Sequence, residues 1–117
     1  MFYEDHVVIA DSGGRVAFEG ESGRAIARAL GGHKAGIHRN HGHFTVGQTV
    51  DEAAWWYITM ERSCQAQLLA EAAGSPVMID PDDARYSLEQ SGFPLAGWIA
   101  FQPIWQDIVE SDPDLFD

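Results

Sequence analysis

The chain has 117 residues, of which 45% are hydrophobic and 21% charged, a composition typical of one globular domain. Its 18 acidic and 7 basic residues give a formal net charge of −11, which argues against nucleic-acid binding and against binding to anionic membranes. One cysteine excludes an internal disulfide and a multi-cysteine zinc site. No apolar run reaches the roughly 18 residues of a membrane span, and the amino terminus has no basic signal-like segment, so we expect a cytoplasmic protein.

The first 46 residues are predicted to form an α/β arrangement. The β-branched residues at 6–10 favour a strand. Apolar residues spaced four apart within 21–30 predict a helix, and Gly31 ends it. The predicted elements are a strand at 6–10, a short return strand at 15–18, a helix at 21–30, a buried strand at 34–40 and a segment at 44–46 that continues or neighbours it.

A long helix is the clearest element. Thr49 and Glu52 have the spacing of a capping box, and Gly74 with Pro76 beyond it ends the helix after about 24 residues. Its main apolar face is predicted to comprise Ala53, Ala54, Tyr57, Met60, Cys64, Leu68 and Ala72. The opposite side is also apolar, at Trp55, Ala66, Leu69 and Ala73. A helix that is apolar on two sides is usually enclosed between layers or subunits.

Glu61 interrupts the main apolar face of this helix. A buried carboxylate needs a hydrogen-bonding partner. An arginine of another chain, backbone amides or a metal-ligating imidazole could each provide one, and a structural hydrogen bond is the favoured interpretation.

The last third is predicted to be helical after a short apolar segment at 77–79. Asp80 followed by Pro81 has the pattern of a helix start, and this helix should run to about Gln90. Apolar and aromatic residues between Trp98 and Val109 have helical spacing, and Pro103 within them predicts a kink or two short segments.

Four of the five histidines lie within eleven residues, at His33, His38, His41 and His43. In extended backbone His41 and His43 would point to the same side, as a pair of ligands for zinc or a similar divalent ion does. His38 has the opposite parity unless the chain bends at Gly42. The alternative is that these histidines are polar residues near a turn, without a metal.

The region around these histidines also resembles a known family. The stretch GIHRNHGHFTVGQTVDEAA at 36–54, followed by Glu61-Arg62 and Gln65, is similar to the class II aldolase/adducin family. FYEDH at 2–6 and the GWIAFQP run at 97–103 extend the similarity over nearly the whole chain.

This resemblance implies an α/β/α sandwich with a mixed central sheet, usually assembled as a homotetramer. Active members bind a divalent ion, often zinc, through three histidines, and the histidine of the family's N-H-G motif matches His41. Known activities are those of sugar-phosphate aldolases, a pentose-phosphate 4-epimerase and a dehydratase. Adducin keeps the fold as a cytoskeletal binding protein without that chemistry.

The sequence also departs from the family pattern. The family's H-x-H ligand pair, its catalytic carboxylate and its phosphate-binding loops precede the FYEDH segment and are not found here. His43 occupies a position that is more often apolar. We therefore expect residues 1–117 to form a single partial domain that lacks the N-terminal half of the sandwich and forms a homo-oligomer. Catalytic residues stay unassigned, and Asn40 and Glu61 are candidates for supporting or structural roles.

Three hypotheses follow for the function. The first is an incomplete, divalent-metal-dependent carbon–carbon lyase acting on a sugar phosphate or similar hydroxy-carbonyl compound. The second is a non-catalytic, adducin-type interaction module or oligomeric remnant. The third is an autonomous metal site built from His38, His41 and His43.

Overall fold

A mixed three-stranded sheet forms the centre of the molecule. The structure, a computed structural model, describes residues 1–10 and 20–116, so the predicted return strand at 15–18 lies outside the described residues. The strands are β1 (His6–Ile9), β2 (Ala35–His38) and β3 (Gly42–Thr45), in the order β1-β2-β3. β1 runs parallel to β2, whereas β3 is antiparallel to it.

The described residues also form four helices. They are α1 (Gly20–Leu30), α2 (Val50–Ala73), α3 (Pro81–Ser91) and α4 (Pro94–Ser111), followed by a 3₁₀ turn at Pro113–Phe116. None of the helices within 1–10 and 20–116 is long and apolar enough to cross a bilayer.

The two faces of the sheet carry different helices. Parallel strands need a crossover connection, and α1 lies between β1 and β2 in the chain and packs on β1. Ile37 lies beside Met60 of α2, whereas the next residue, His38, lies beside Ile26 of α1. Since successive side chains of a strand point to opposite faces, α1 and α2 cover opposite faces. This helix–sheet–helix layering confirms the predicted sandwich architecture.

The start of α2 follows the sequence prediction, but its buried face does not. Glu52 N donates to Thr49 Oγ1 at 3.2 Å, which confirms Thr49 as the N-cap, while the Glu52 carboxylate accepts from Gln48 N, one residue before the cap. The buried side chains are Glu52, Trp56 and Met60, each four residues from the next. Of the predicted main face, Met60 is buried and Cys64 half-buried, but Tyr57 and Leu68 are 49% and 67% exposed, so the prediction was wrong in part. α2 lies between the sheet and α4, and these two layers bury the side of the helix that carries Glu52.

α4 packs closely on the outer side of α2. A Cβ placed on Gly97 would lie 2.7 Å from Cζ2 of Trp56, so the absence of a side chain allows this approach. α4 also continues through Pro103 as one helix, rather than the two segments that were one of the predicted outcomes. The start of α3 is as predicted, because Asp82 N donates to Asp80 Oδ1 at 2.8 Å and Pro81 is the first helical residue.

The second half of α2 extends beyond both of its packing partners. From Glu61 to Ala73 the residues are exposed, apart from the half-buried Cys64. The side chain of Glu61 is 66% exposed, so the prediction that it is buried was wrong. The apolar residues 77–79 that follow are also exposed and form neither helix nor strand.

Candidate metal-ligand turn

The turn between β2 and β3 carries the histidine of the N-H-G sequence. His38 and Gly42 are partners across the two strands, so the chain reverses direction over three residues. His41 N donates to the carbonyl of His38 at 3.1 Å. Asn40 has a φ of 62° and Gly42 a φ of 128°, values that asparagine tolerates and glycine adopts at little cost. This local chemistry places His41 at the end of a tight turn.

Two of the predicted ligands are neighbours at this turn. The rings of His38 and His41 stack, with centroids 4.2 Å apart and planes inclined by 16°. His38 also lines a hollow of about 300 Å³ between β1 and α1. The pair therefore lies on the α1 side of the sheet.

His43 lies on the other face. Its strand partner is Ile37, and cross-strand partners point to the same side, here towards α2. Its ring stacks on Tyr57 with centroids 4.2 Å apart, and its Nδ1 lies 3.7 Å from Oε2 of Glu61. A metal-ligating imidazole was one of the partners considered for Glu61, and the His43 imidazole lies beside its carboxylate.

The expected pairing of His41 with His43 does not occur. The expectation assumed an extended backbone, but the positive φ values at Asn40 and Gly42 turn the two side chains apart. Among the residues that the structure describes, no group of three or more His, Cys, Asp and Glu side chains could hold a metal ion. A zinc centre needs at least three protein ligands, so the described residues do not form a complete one by themselves.

A buried polar network at the start of β2, the end of that strand away from the turn, was not predicted from the sequence. Lys34 is 8% exposed, and its Nζ lies 3.1 Å from Asp5 Oδ2 and donates to the carbonyl of Gly92 at 2.7 Å. The same ammonium group lies 4.4 Å from the centre of the Trp56 ring, a cation–π distance.

The buried carboxylate of Glu52 completes this network. Trp56 Nε1 donates to Glu52 Oε1 at 2.8 Å, and Gln48 N donates to Oε2 at 2.6 Å. The sequence contained one signal for the Glu52–Trp56 hydrogen bond, because residues four apart on a helix lie on the same face. This arrangement satisfies the buried polar atoms and thereby supports the fold around β2.

An apolar cleft opens on the α2 face of the sheet. Its volume is about 550 Å³. Its walls are formed by Phe2, His6, Ile37, Met60, Ser63, Cys64, Gln67, Leu68 and Glu71. With its proton on Nδ1, the His6 ring donates to the carbonyl of Phe2 at 2.7 Å, so the ring is oriented by its own segment.

Comparison with known proteins identifies relatives of this chain. A family model described as the Class II Aldolase and Adducin N-terminal domain matches residues 1–68, which include the β2–β3 turn. Decarboxylase NovR of Streptomyces niveus is 46% identical over 97% of this chain and 42% of its own length. The 4-hydroxy-3-prenylphenylpyruvate oxygenase/4-hydroxy-3-prenylbenzoate synthase of Streptomyces roseochromogenus subsp. oscitans is 44% identical over 97% of the chain and 41% of its own length.

A solved structure supports the same relationship. The L-fuculose 1-phosphate aldolase from Glaciozyma antarctica PI12 superposes with a TM-score of 0.83 and 36% identity, over 97% of this chain and 41% of that protein. The chain therefore spans about two fifths of the length of the relatives it matches.

Proposed function

Because this chain belongs to the class II aldolase and adducin family, we propose that it is part of a divalent-metal-dependent carbon–carbon lyase in which His41 supplies one metal ligand. The observation that carries the proposal is the position of His41 in the N-H-G sequence, at the end of a tight turn within the matched residues. Residues 1–117 would form one partial domain of that enzyme.

The names of two relatives support the chemistry that we propose, while a third is named an oxygenase and synthase. One relative is named a decarboxylase and the structural match an aldolase, and both names describe the breaking of a carbon–carbon bond. The substrate class that we propose is a sugar phosphate or similar hydroxy-carbonyl compound. Zinc or another divalent ion, when bound, would polarise a substrate oxygen and stabilise negative charge that develops there.

The described residues of this chain would supply only part of the metal centre and of the acid/base chemistry. The backbone of His41 is tied to His38 by a hydrogen bond within the strand connection, and a fixed position suits a metal ligand. The remaining ligands and the acid/base group would come from residues outside those described here, in the same polypeptide or in another copy. A homo-oligomer would allow the second arrangement.

Metal binding by the 117-residue chain tests this proposal. Because His41 alone does not complete a centre, we expect zinc titration calorimetry to show one weakly bound ion per chain, and His41→Ala to weaken zinc binding about tenfold or more. His33→Ala is the matched control, because His33 Nδ1 contacts the carbonyl of Leu30 at 2.8 Å, away from the turn. Equal zinc affinities in the two variants would contradict the role of His41.

A non-catalytic, adducin-type interaction module is the second candidate. Two observations favour it: the described residues hold no three-ligand group, and the second half of α2 exposes Leu68 and Leu69 by 67% and 64%. This candidate predicts no stoichiometric metal and no effect of His41→Ala on the binding of a partner protein. A zinc-loaded chain that cleaves a hydroxy-carbonyl compound would exclude it.

A further inference from the structure

We infer that His38 is a positioning residue that holds the His41 imidazole by stacking and does not share a metal ion with it. The spacing in the sequence makes His38 a candidate ligand, whereas the geometry of the two rings assigns it a different task. The metal part of the inference rests on the proposed function. The stacking part stands independently of any metal.

The orientation of the two rings excludes a shared ion. An imidazole nitrogen binds a metal along its lone pair, which lies in the ring plane, at about 2.0–2.1 Å for zinc. The His38 and His41 planes are inclined by only 16° and their centroids are 4.2 Å apart. Two stacked, nearly parallel planes meet only far from either ring. An ion in the plane of His41 therefore lies above the face of His38, out of reach of its lone pairs.

The backbone keeps the two rings in this stacked arrangement. His38 is the last residue of β2 and is paired with Gly42 of β3, so its Cα is fixed by the sheet. The hydrogen bond from His41 N to the carbonyl of His38, at 3.1 Å, holds the backbones of the two residues together.

The face of the sheet also decides which histidine can take this role. His43 is stacked on Tyr57 on the opposite face, so its ring does not support His41. Of His38 and His43, it is His38 whose ring stacks on His41. A flat ring at position 38 is therefore the feature required, rather than its nitrogen atoms.

Two variants separate the two roles of a histidine at this position. His38→Phe keeps a flat ring but has no lone pair, and His38→Ala removes both. In the metal-free chain we expect NMR signals of the His41 ring protons, identified by their loss in His41→Ala, to be displaced by the neighbouring ring in the wild type and in His38→Phe. In His38→Ala they should move to the values of an unstacked histidine. Unchanged His41 signals in His38→Ala would overturn the inference.

Zinc affinity gives the second readout. We expect His38→Phe to bind zinc within about twofold of the wild type and His38→Ala to bind about tenfold more weakly, as outer-shell changes do. Equal losses in both variants, with unchanged circular dichroism, would show that His38 is a ligand and overturn the inference. If the wild-type chain binds no zinc, the proposed function fails, and the ring-proton signals alone decide whether His38 positions His41.

Discussion

At the scale of single residues, two backbone angles determine which histidines meet. Asn40 and Gly42 adopt φ values of 62° and 128°, and the strand reversal that they allow separates His41 from His43. Backbone conformations of this kind cost an ordinary residue about 1–3 kcal/mol. The choice of Asn and Gly therefore lowers the free energy of the turn that presents His41.

Gly42→Ala tests this cost. No atom outside the neighbouring residues lies within 4 Å of the Cβ that it would add, so strain at a φ of 128° is the main effect. We expect the free energy of unfolding in urea to fall by about 1–2 kcal/mol. Gly23→Ala is the matched control, because Gly23 lies inside α1 with open space around it, and there alanine should raise stability by about 0.5–1 kcal/mol. A Gly42→Ala protein as stable as the wild type would show that the turn is not strained.

At the scale of elements, one buried cation joins segments that are far apart in the chain. Lys34, directly before β2, contacts Asp5 before β1 and the carbonyl of Gly92 between α3 and α4. It also lies over the Trp56 ring of α2. Burying an ammonium group is favourable only when it is paired and hydrogen-bonded, and these three contacts meet that requirement. Lys34 thereby links the sheet to the helical layers.

Lys34→Met should destabilise the protein through this network. It removes the charge paired with Asp5 and leaves the Gly92 carbonyl without its donor, while it keeps most of the side-chain volume. We expect a loss of about 3 kcal/mol in the free energy of unfolding. Arg85→Met is the control, because Arg85 is 49% exposed and pairs with the exposed Glu4 and Asp82, so its loss should be below about 1 kcal/mol. Similar losses in the two variants would show that the buried contacts of Lys34 contribute no more to the free energy of unfolding than an exposed ion pair does.

At the scale of the whole molecule, the fold is less compact than usual and leaves large apolar side chains exposed. The Cα radius of gyration is 16.4 Å, against about 13 Å for a compact domain of this length. The second half of α2 exposes Leu68 and Leu69, and Val77 and Met78 beyond it are 98% and 83% exposed. Exposed apolar residues at the end of one helix and in the segment after it are candidates for an interaction surface. This surface supports the proposal of a homo-oligomer.

Leu68→Lys tests whether this surface lies in an interface between copies. We expect the wild type to elute as an oligomer in size-exclusion chromatography with light scattering, and Leu68→Lys to shift the mass towards the monomer, since a buried charge is costly. Gln90→Lys makes the same charge change at an exposed position of α3 and should leave the mass unchanged. A wild-type monomer with a cooperative thermal transition would contradict the homo-oligomer.

The features that the sequence alone determined are those with local causes. The caps at Thr49 and Asp80, the end of α1 near Gly31 and the strand from His6 depend on residues within a few positions of each other. The N-H-G segment likewise identified the family, since its residues are adjacent in the chain.

Only the tertiary structure decided which side chains meet. The face of α2 that is buried depends on where α4 and the sheet lie, so Glu52 and Trp56 are buried and Glu61 is exposed. The partners of Lys34 come from segments up to 58 residues away in sequence. The grouping of His38 with His41, and of His43 with Tyr57, follows from strand register and the turn together. Contacts between distant segments are set by packing of the whole chain, which no local pattern specifies.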